Sequence, residues 1–582
     1  MRLIAILIFA SLNFLSNAQS NIHFTRSVAS DVLKGNFNPD DFEATIQIED
    51  PYLISENLIN EIKPNNLKEY LEKMSSFHTR NTVSDTVSTT RGIGAARNWA
   101  LAAFQKISDD NENRLIPTFL KFEQTVCGVS DHKNILAILP GTGPQFDESI
   151  LVEAHFDSRC ATLCDPDCEA HGMEDNGSGS ALVLELARVM SKYSFNRTII
   201  FMLTVGEEQG LIGAEALATW CQDNDIKLVA VFNNDIVGGV LCGNTASPPG
   251  CPEVGTKDTT NVRLYSAGNF NSANKQLVRW TKLQQKEMII PHTSNTNTIN
   301  IMTPEDRSGR GGDHIPFPPK GFKALRFTSA YEHGDGNPAQ DNYMDRQHTS
   351  DDVLGVDTDT NGSIDSFYVD FNYLSRNGVI NGNAIAVAST APIPPVSFDM
   401  TEIPGGFQID IDDPNDYGEY RVAIRDIGLN TWDTLITVNS KTASITGLSS
   451  GFYVLSACTV DDRGIESFFS NEIWERTTGP TATKEVERLQ KKVHLMQNRP
   501  NPFDEVTNIV VVVEEVVDHK EAKIMVVDLE GQVLVSYPIK LRLGINEIMY
   551  EHKHHGHIPG VYAYSLVIDG QIVETKRMIY AN

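Results

Sequence analysis

The sequence predicts an α/β protein with a mixed, mostly parallel sheet and helices on both faces, followed by two small β-sandwich domains. Short, continuous apolar segments, typical of strands buried on both sides, alternate with helical segments between residues 134 and 233. Beyond Pro392 the segments alternate between apolar and polar residues, as strands do. Polar motifs follow the predicted strands directly, where a parallel sheet carries its functional site.

The predicted elements of the first domain follow one another regularly. Strands are expected at residues 134–139, 149–155, 198–205 and 227–233, and helices at 180–193 and 211–220. A helical pattern interrupted by Thr and Ser precedes them over residues 67–107. Strands that alternate with helices form parallel sheets covered by those helices.

The N-terminus has the features of a secretory signal peptide over residues 1–18. Arg2 precedes a mostly apolar segment, and Ala18 ends a small-residue cleavage site. The apolar segment is shorter than the roughly 20 residues that a membrane-spanning helix needs. Residues 19–55 are polar and without clear periodicity, so we expect a propeptide or an N-terminal arm. The mature protein is expected to be secreted or held at the cell surface after passage through the periplasm.

Composition narrows the class of protein further. The 582 residues suffice for about three or four domains, and 41% of them are hydrophobic. A net charge of −28 without a long basic segment argues against nucleic acid as a partner. A monomer is expected.

Eight cysteines in an exported chain predict disulfides. Cys242 and Cys251 are expected to close a small loop, and Cys160, Cys164 and Cys168 to form disulfides near the site. A zinc site made of these three with His171 is the alternative.

Five motifs supply candidate metal ligands and acid–base groups. They are His155-Phe156-Asp157, Asp175-Asn176-Gly177-Ser178-Gly179, Gly206-Glu207-Glu208, Asn234-Asp235 and Gln347-His348-Thr349. Two imidazoles and several carboxylates without a cysteine suit a pair of divalent ions, zinc above all. Buried His–carboxylate pairs that only satisfy hydrogen bonds are the structural alternative.

The spacing of these residues suggests their roles. His155 is a predicted ligand, and Asp157 is expected to orient an imidazole. Asp175, in a turn before a helix, can bridge two ions. Because neighbouring side chains point in different directions, Glu208 is assigned as ligand and Glu207 as general base. Two further ligands complete the set, Asp235 and His348.

These motifs resemble the zinc aminopeptidases of metallopeptidase family 28, and the resemblance spans about residues 60–385. It also includes Ser75-Ser76-Phe77-His78-Thr79-Arg80 and Gly311-Gly312-Asp313-His314-Ile315-Pro316-Phe317. The resemblance implies two zinc ions per chain, one held by His155 and Asp235, the other by Glu208 and His348. Asp175 would bridge them, and Glu207 would be the general base for a zinc-bound hydroxide that attacks the scissile carbonyl.

Two positions qualify the resemblance. Some members have a tyrosine before the last histidine that steadies the tetrahedral intermediate, whereas this chain has Gln347; Tyr343 is a candidate substitute. Asp313 and His314 resemble a family motif, and we interpret them as wall of the site or as support behind the ligands, and not as ligands.

The sequence therefore predicts a secreted di-zinc aminopeptidase acting on peptide substrates. Glutaminyl cyclase and carboxypeptidase are alternatives within the fold. A carboxypeptidase would need a basic pocket, for which Arg307, Arg310 and Arg326 are candidates. The alternative from another class is an adhesive or glycan-binding protein, in which the fibronectin-like module binds and the enzyme domain is inactive.

The remaining chain divides into smaller parts. The peptidase domain is expected at 56–390, a fibronectin type III-like sandwich at 396–476 and a linker at 477–493. Residues 494–582 resemble the C-terminal sorting domain of the type IX secretion system of Bacteroidetes. The matching motifs are Gln497-Asn498-Arg499-Pro500-Asn501-Pro502-Phe503, Val527-Asp528-Leu529-Glu530-Gly531, Gly544-Ile545-Asn546 and Pro559-Gly560-Val561-Tyr562. This resemblance implies export across the outer membrane, with the type IX machinery as partner.

A separate motif resembles the start of a calcium loop. Its oxygen ligands would be Asp357, Asp359, Asn361 and Asp365, with Gly362 at the sixth position. The twelfth position is Tyr368 where a calcium loop has Glu. An Asp/Asn-rich turn is the alternative.

Overall fold

The computed structural model describes residues 19–45, 48, 50–242, 255–306, 311–331, 346–427, 429–477, 484–504, 506–528, 533–551 and 559–581. The predicted signal peptide, Cys251, Arg307, Arg310 and Tyr343 lie outside these residues. The chain divides into two compact units, residues 1–267 with 281–390, and residues 268–280 with 391–582. Within the described ranges, every helix is too short or too polar to cross a membrane.

The first unit is built on a nine-stranded sheet. Its strands are β1 (Ser20–Phe24), β2 (Ile116–Val126), β3 (Val129–Leu139), β4 (Glu148–His155), β5 (Thr198–Thr204), β6 (Lys227–Asn234), β7 (Asn261–Tyr265), β8 (Thr298–Ile301) and β9 (Ala324–Ser329). They lie in the order β1-β2-β3-β5-β4-β6-β9-β7-β8. The central strands β5, β4, β6 and β9 are parallel, and antiparallel pairs flank them. The mixed α/β class predicted from the sequence is confirmed.

The helices of the first unit are α1 (Ser27–Leu33), α2 (Pro51–Glu61), α3 (Pro64–Ser75), α4 (Gly92–Asp110), α5 (Ser178–Met190), α6 (Ile212–Asp223) and α8 (Phe371–Thr390). Another helix, α7 (Ala273–Gln284), begins in the segment that belongs to the second unit. A two-stranded ribbon, β10 (Gly355–Val356) with β11 (Ser366–Phe367), precedes α8. The chain runs from β4 through α5 to β5, and then back past β4 through α6 to β6. Because such crossovers are right-handed, α5 and α6 lie on opposite faces, and the strand order reverses at β4.

The N-terminal segment adds an edge strand to the sheet. β1 pairs antiparallel with β2, and the ring of Phe24 meets Trp220 edge-on at 4.8 Å. The sequence concealed this strand because much of it is exposed, so its composition is polar. Whether the segment is removed as a propeptide stays a prediction.

The second unit contains two pairs of small antiparallel sheets. The first pair consists of β12 (Ser397–Ile403), β13 (Gly406–Asp412), β14 (Glu419–Asp426), β15 (Thr434–Val438), β16 (Thr442–Thr446), β17 (Gly451–Val460) and β18 (Ile473–Thr477). After α9 (Lys484–Gln490) come β19 (Val493–Leu495), β20 (Val506–Val513), β21 (Ala522–Val527), β22 (Val533–Pro538), β23 (Gly544–Glu551), β24 (Gly560–Ile568) and β25 (Gln571–Tyr580). The sheets are ordered β12-β13-β16 with β15-β14-β17-β18, and β19-β20-β23 with β22-β21-β24-β25.

Each pair encloses its own apolar core. Phe407 from one sheet and Tyr420 from the other share the first core, and Ile509 and Tyr564 share the second. Two small β-domains therefore follow the α/β domain, as predicted. Their assignment to fibronectin type III and to the sorting domain rests on the sequence resemblance and stays a prediction.

A buried ionic cluster holds residues 268–280 within the second unit. The Glu472 carboxylate lies 2.7 Å from Arg425 Nη2 and 3.1 Å from Arg279 Nη1, and it accepts a hydrogen bond from Trp432 Nε1 at 3.1 Å. The ring of Trp280 packs against Phe468, with centroids 4.5 Å apart. The side chains of Glu472 and Arg425 are fully buried, so each charge depends on its partners.

Candidate metal centre

The predicted ligands converge at the carboxyl ends of three neighbouring parallel strands. His155 ends β4, Glu207 and Glu208 follow β5, and Asp235 follows β6. Gly206 permits the turn after β5, because its φ is +76° and an added Cβ would lie 2.2 Å from Ile212. A cavity of about 350 Å³ opens here. Its walls include Arg159, Asp175, Glu207, Glu208, Gly210, Leu211, Asp235, Ile236, Gly311 and His348.

The side chains form two adjoining groups of metal-ligating atoms. One group is His155, Glu207 and Asp235, and the other is Asp175, Glu208 and His348. Within each group, the ligand atoms lie within 4.8 Å of one another. The structure therefore brings together all the ligands and the base that the sequence singled out.

Asp175 connects the two groups. Its Oδ1 lies 3.0 Å from His155 Nε2, and its Oδ2 lies 3.1 Å from His348 Nε2. This is the arrangement that a bridging carboxylate needs. The outer carboxylates stand on either side, with Asp235 Oδ1 3.3 Å from His155 Nε2 and Glu208 Oε2 3.1 Å from His348 Nε2.

The electrostatics of the cluster suit cations. Burial disfavours the charged imidazole of His155, yet Glu207 and Asp235 outweigh it and hold its pKa well above the usual value. Burial also opposes ionisation of Asp175, but hydrogen bonds to both histidines hold its pKa well below normal. Glu208 Oε1 is buried without a hydrogen-bond partner. Carboxylates and imidazoles crowded together, with a buried oxygen left over, fit divalent metal ions such as zinc.

Asp157 supports the site from behind. The Nδ1 atom of His155 donates to the main-chain carbonyl of Asp157 at 3.1 Å, which leaves Nε2 free for a metal. The Asp157 carboxylate lies farther from this ring, at 3.7 Å, and accepts from the amides of Glu207 and Glu208 at 3.3 Å each. One side chain thus fixes both the predicted base and the predicted ligand beside it.

Arg326 is a buried counter-charge and does not line the cavity. Its Nη2 lies 2.9 Å from Asp235 Oδ2, and its Nη1 donates to Asp306 at 2.7 Å. The side chain has no exposed surface. Because the guanidinium is buried and paired with both Asp235 and Asp306, it cannot bind a substrate carboxylate in the pocket that a carboxypeptidase would need.

Asp313 and His314 lie behind the ligands, as the sequence interpretation expected. Thr204 donates a hydrogen bond to Asp313, whose pKa burial raises to about 7. His314 Nε2 faces the carbonyl of Glu305 at 3.1 Å. Both side chains are fully buried and belong to neither ligand group.

Two supporting residues escaped the sequence interpretation. Asp352 accepts from the amides of Glu174 and Asp175 at 2.8 and 3.0 Å, so it fixes the turn that carries the predicted bridging ligand. Arg159 lines the cavity itself. Each is a single charged residue near a recognised motif, and no sequence spacing predicts that its side chain points toward the site.

Arg80 ties together the two loops that carry His155 and Asp175. Its fully buried guanidinium donates to the carbonyls of Phe156 at 2.7 Å, of Gly172 at 2.9 Å, and of His171. A lysine cannot reproduce this fork of donors.

Arg80→Lys should lower the zinc affinity by about 10- to 100-fold and the free energy of unfolding by about 3 kcal/mol. Arg114→Lys is a matched control, because Arg114 is also buried and donates to carbonyls, those of Ser191 and Tyr193, away from the site. Zinc titration by calorimetry measures the difference. Equal zinc affinity in the two variants would show that Arg80 does not organise the centre.

Disulfides brace the segment after β4, as predicted. Cys160 pairs with Cys168, and Cys164 pairs with Cys127 on the turn between β2 and β3. Because all three cysteines are paired, they offer no free thiolates for the alternative zinc site, and His171 Nε2 contacts Glu169 at 3.0 Å. Cys242 is disulfide-bonded, and its predicted partner Cys251 lies outside the described residues.

The candidate calcium loop gathers three carboxylates. Asp357, Asp359 and Asp365 offer oxygens within 4.8 Å of one another. These oxygens accept hydrogen bonds within the loop, such as that from the Gly362 amide to Asp357 at 2.6 Å, while Asn361 Oδ1 accepts from the Ser363 amide. Such bonds also stabilise an Asx-rich turn, so calcium binding stays a prediction.

Fold and site together define an α/β domain with two adjoining groups of metal-ligating side chains at the sheet edge. Residues 134–370 match the model of Peptidase family M28, so this part of the chain is similar to peptidases of that family. A protein from Leptosphaeria maculans described as "Probable zinc metalloprotease" is 28% identical over 397 residues, covering 66% of this chain and 88% of that protein. Another so described, from Pyrenophora tritici-repentis, is 31% identical over 291 residues, covering 48% and 66% respectively.

The solved structures that align with this chain have a lower sequence identity to it. The LapA aminopeptidase of Legionella pneumophila aligns with a TM-score of 0.41 at 18% identity, covering 60% of this chain and 78% of that chain. The glutaminyl cyclase of Porphyromonas gingivalis aligns with a TM-score of 0.37 at 16% identity, covering 56% and 97%.

Proposed function

We propose that this protein is a zinc-dependent aminopeptidase that removes N-terminal residues from peptides. The observation that carries the proposal is the position of Glu207, a half-buried carboxylate on the cavity wall that lies with His155 and Asp235 and directly precedes Glu208 of the other ligand group. Burial raises its pKa well above that of an exposed glutamate, although His155 opposes this. A carboxylate of raised pKa accepts and returns a proton more readily near neutral pH.

The ligands would divide between two ions. His155 and Asp235 would hold one zinc, Glu208 and His348 the other, and Asp175 would bridge them. Bound zinc supplies Lewis acidity and lowers the pKa of a water molecule. Glu207 removes a proton from the attacking water and then delivers it to the leaving amine. Asp157 keeps Glu207 in place by accepting its main-chain amide.

The lining of the cavity favours an aminopeptidase over its alternatives. Four carboxylates face it, namely Asp175, Glu207, Glu208 and Asp235. Three of them are ligands of zinc in this proposal, so Glu207 is the carboxylate left to attract a positively charged α-amino group. Arg326 is engaged elsewhere, so a pocket for a substrate carboxylate lacks that support. Among the described lining residues none is aromatic, whereas a cyclase tends to surround its site with tryptophan.

A panel of aminoacyl chromogenic substrates tests this function. We expect release of free N-terminal residues, complete loss of activity with a chelator, and recovery on adding zinc back. Removal of zinc should abolish activity, because the proposed reaction depends on the metal ions that these side chains would hold. Inactivity across the panel in protein that retains zinc would refute the aminopeptidase proposal. Cyclisation of N-terminal glutamine or release of C-terminal residues would then identify the alternatives.

Export through the type IX system and calcium binding rest on sequence alone. The resemblance of residues 494–582 supports removal of this segment after export, which the mass of the secreted protein would reveal. A calcium titration of the full chain would test the loop around Asp357.

A further inference from the structure

Arg159 is the one arginine or lysine among the described residues that line the cavity. It stands in a wall otherwise rich in carboxylates, and its side chain is 18% exposed. Its Nε lies 3.4 Å from Glu208 Oε2, and its Nη2 lies 3.1 Å from His348 Nδ1. The guanidinium therefore flanks the ligand group formed by Asp175, Glu208 and His348.

The backbone around Arg159 is firmly held. Ser158 Oγ donates to the carbonyl of Ala170 at 2.7 Å and accepts from the amide of Arg80. Cys160, the next residue, is joined to Cys168 by a disulfide. Because the residues before and after Arg159 are both held in place, its backbone is preorganised. Little conformational entropy is therefore lost when the side chain binds a substrate.

Arg159 has donors to spare. A guanidinium carries five N–H groups. Within the described part of the chain, Arg159 makes one side-chain hydrogen bond, from Nη2 to His348 Nδ1, which requires that Nδ1 be unprotonated. With a metal on His348 Nε2 the proton resides on Nδ1, and this donor of Arg159 is then free as well. Its Nε is buried and makes no hydrogen bond, because the approach to Glu208 is an ion-pair contact. A buried donor without an acceptor is costly unless a ligand completes it.

We propose that Arg159 hydrogen-bonds the oxygen of the scissile carbonyl as that oxygen becomes negatively charged. The inference rests on the proposed peptidase function. When water adds, a C–O bond forms, the π electrons move onto the carbonyl oxygen, and Glu207 takes the proton. When the C–N bond breaks, that electron pair re-forms the carbonyl, and the nitrogen leaves with the proton from Glu207. Among the described residues that line the cavity, Arg159 is the cationic side chain that can stabilise the negative oxygen formed between these two steps.

This role predicts an effect on kcat and not on KM. The carbonyl oxygen is nearly neutral in the bound substrate and charged in the tetrahedral state, so the guanidinium binds the second more tightly. Loss of one such donor lowers kcat by about 10²- to 10³-fold. Arg159→Met should show this loss with KM within about threefold, and Arg159→Lys should retain part of the rate because it keeps the charge.

The test uses the zinc-loaded full chain and an aminoacyl 4-nitroanilide, which has no carboxylate. Added guanidinium ion should partly restore kcat of Arg159→Met, and a phosphonate analogue of the tetrahedral state should bind this variant about 10²-fold more weakly by calorimetry. Arg188→Met is the control, since Arg188 is also partly buried and pairs with a buried carboxylate, Glu185, away from the cavity. The control should keep the wild-type kcat.

Three results would overturn the role of Arg159. An unchanged kcat would remove it from the reaction. Loss of zinc from Arg159→Met would make Arg159 a support for Glu208 and His348 only. An effect confined to KM of peptides with a free C-terminal carboxylate would make it a substrate-carboxylate site. Failure of the proposed function is separate, since wild-type protein would then release no amino acid from any substrate.

Discussion

Replacing Glu207 by glutamine should lower kcat for peptide hydrolysis by about three to four orders of magnitude while zinc stays bound. Glutamine keeps the size of the side chain and its main-chain bond to Asp157, but its amide cannot accept the proton of the attacking water. The ligand sets around His155 and His348 remain intact. Activity should fall, and metal content should not.

The neighbouring glutamate provides the contrast. Glu208→Gln should lose zinc, because Glu208 Oε2 lies 3.1 Å from His348 Nε2 within the second ligand group. Metal analysis and kcat measured on both variants separate the roles of base and ligand. Glu207 also lies close to His155 and Asp235. If Glu207→Gln lost zinc and Glu208→Gln kept it, the two roles would be reversed.

Replacing Glu472 by glutamine should destabilise the second unit by about 3–5 kcal/mol. The change removes the counter-charge of two buried guanidinium groups, Arg279 and Arg425. It also places an amide donor among donors. Calorimetric unfolding of the full chain should show the transition of this unit at a lower temperature.

The control replaces all three charges together. Because a buried ionic cluster exchanged for apolar residues of similar size often costs little, a variant with methionine at 279, 425 and 472 should regain most of the stability. A transition unchanged by Glu472→Gln would mean that the charges are solvated and the cluster does not hold the unit together.

This cluster bears on the adhesive alternative. Residues 268–280 lie between β7 and β8 in the sequence, yet they are packed within the second unit. Deleting residues 391–582 would leave Arg279 and Trp280 without the groups that they contact. The first sandwich is therefore expected to be needed for a soluble protein, whatever else it binds.

The sequence predicts best those features that depend on residues close together in the chain. Strands such as β4 and β5, buried on both sides, must be continuously apolar, and their carboxyl ends place following residues at one edge. The sequence alone therefore predicts that His155, Glu207, Glu208 and Asp235 lie close together.

What the sequence could not reveal depends on distant partners. Glu472 meets Arg279 across 193 residues, and Cys127 meets Cys164 across 37, and neither pairing leaves a periodic signal. The direction of Arg159 depends on a loop that two disulfides close. The edge strand β1 is largely exposed, so its sequence lacks the apolar pattern of a buried strand.

We propose that two metal ions share this site through Asp175. Anomalous diffraction at the zinc absorption edge, from crystals of the zinc-loaded full chain, tests it most directly. We expect two peaks per chain, one beside His155 and Asp235 and the other beside Glu208 and His348, with Asp175 contacting both. A single peak at full zinc occupancy, or peaks away from these side chains, would show that the two groups do not form a two-metal site.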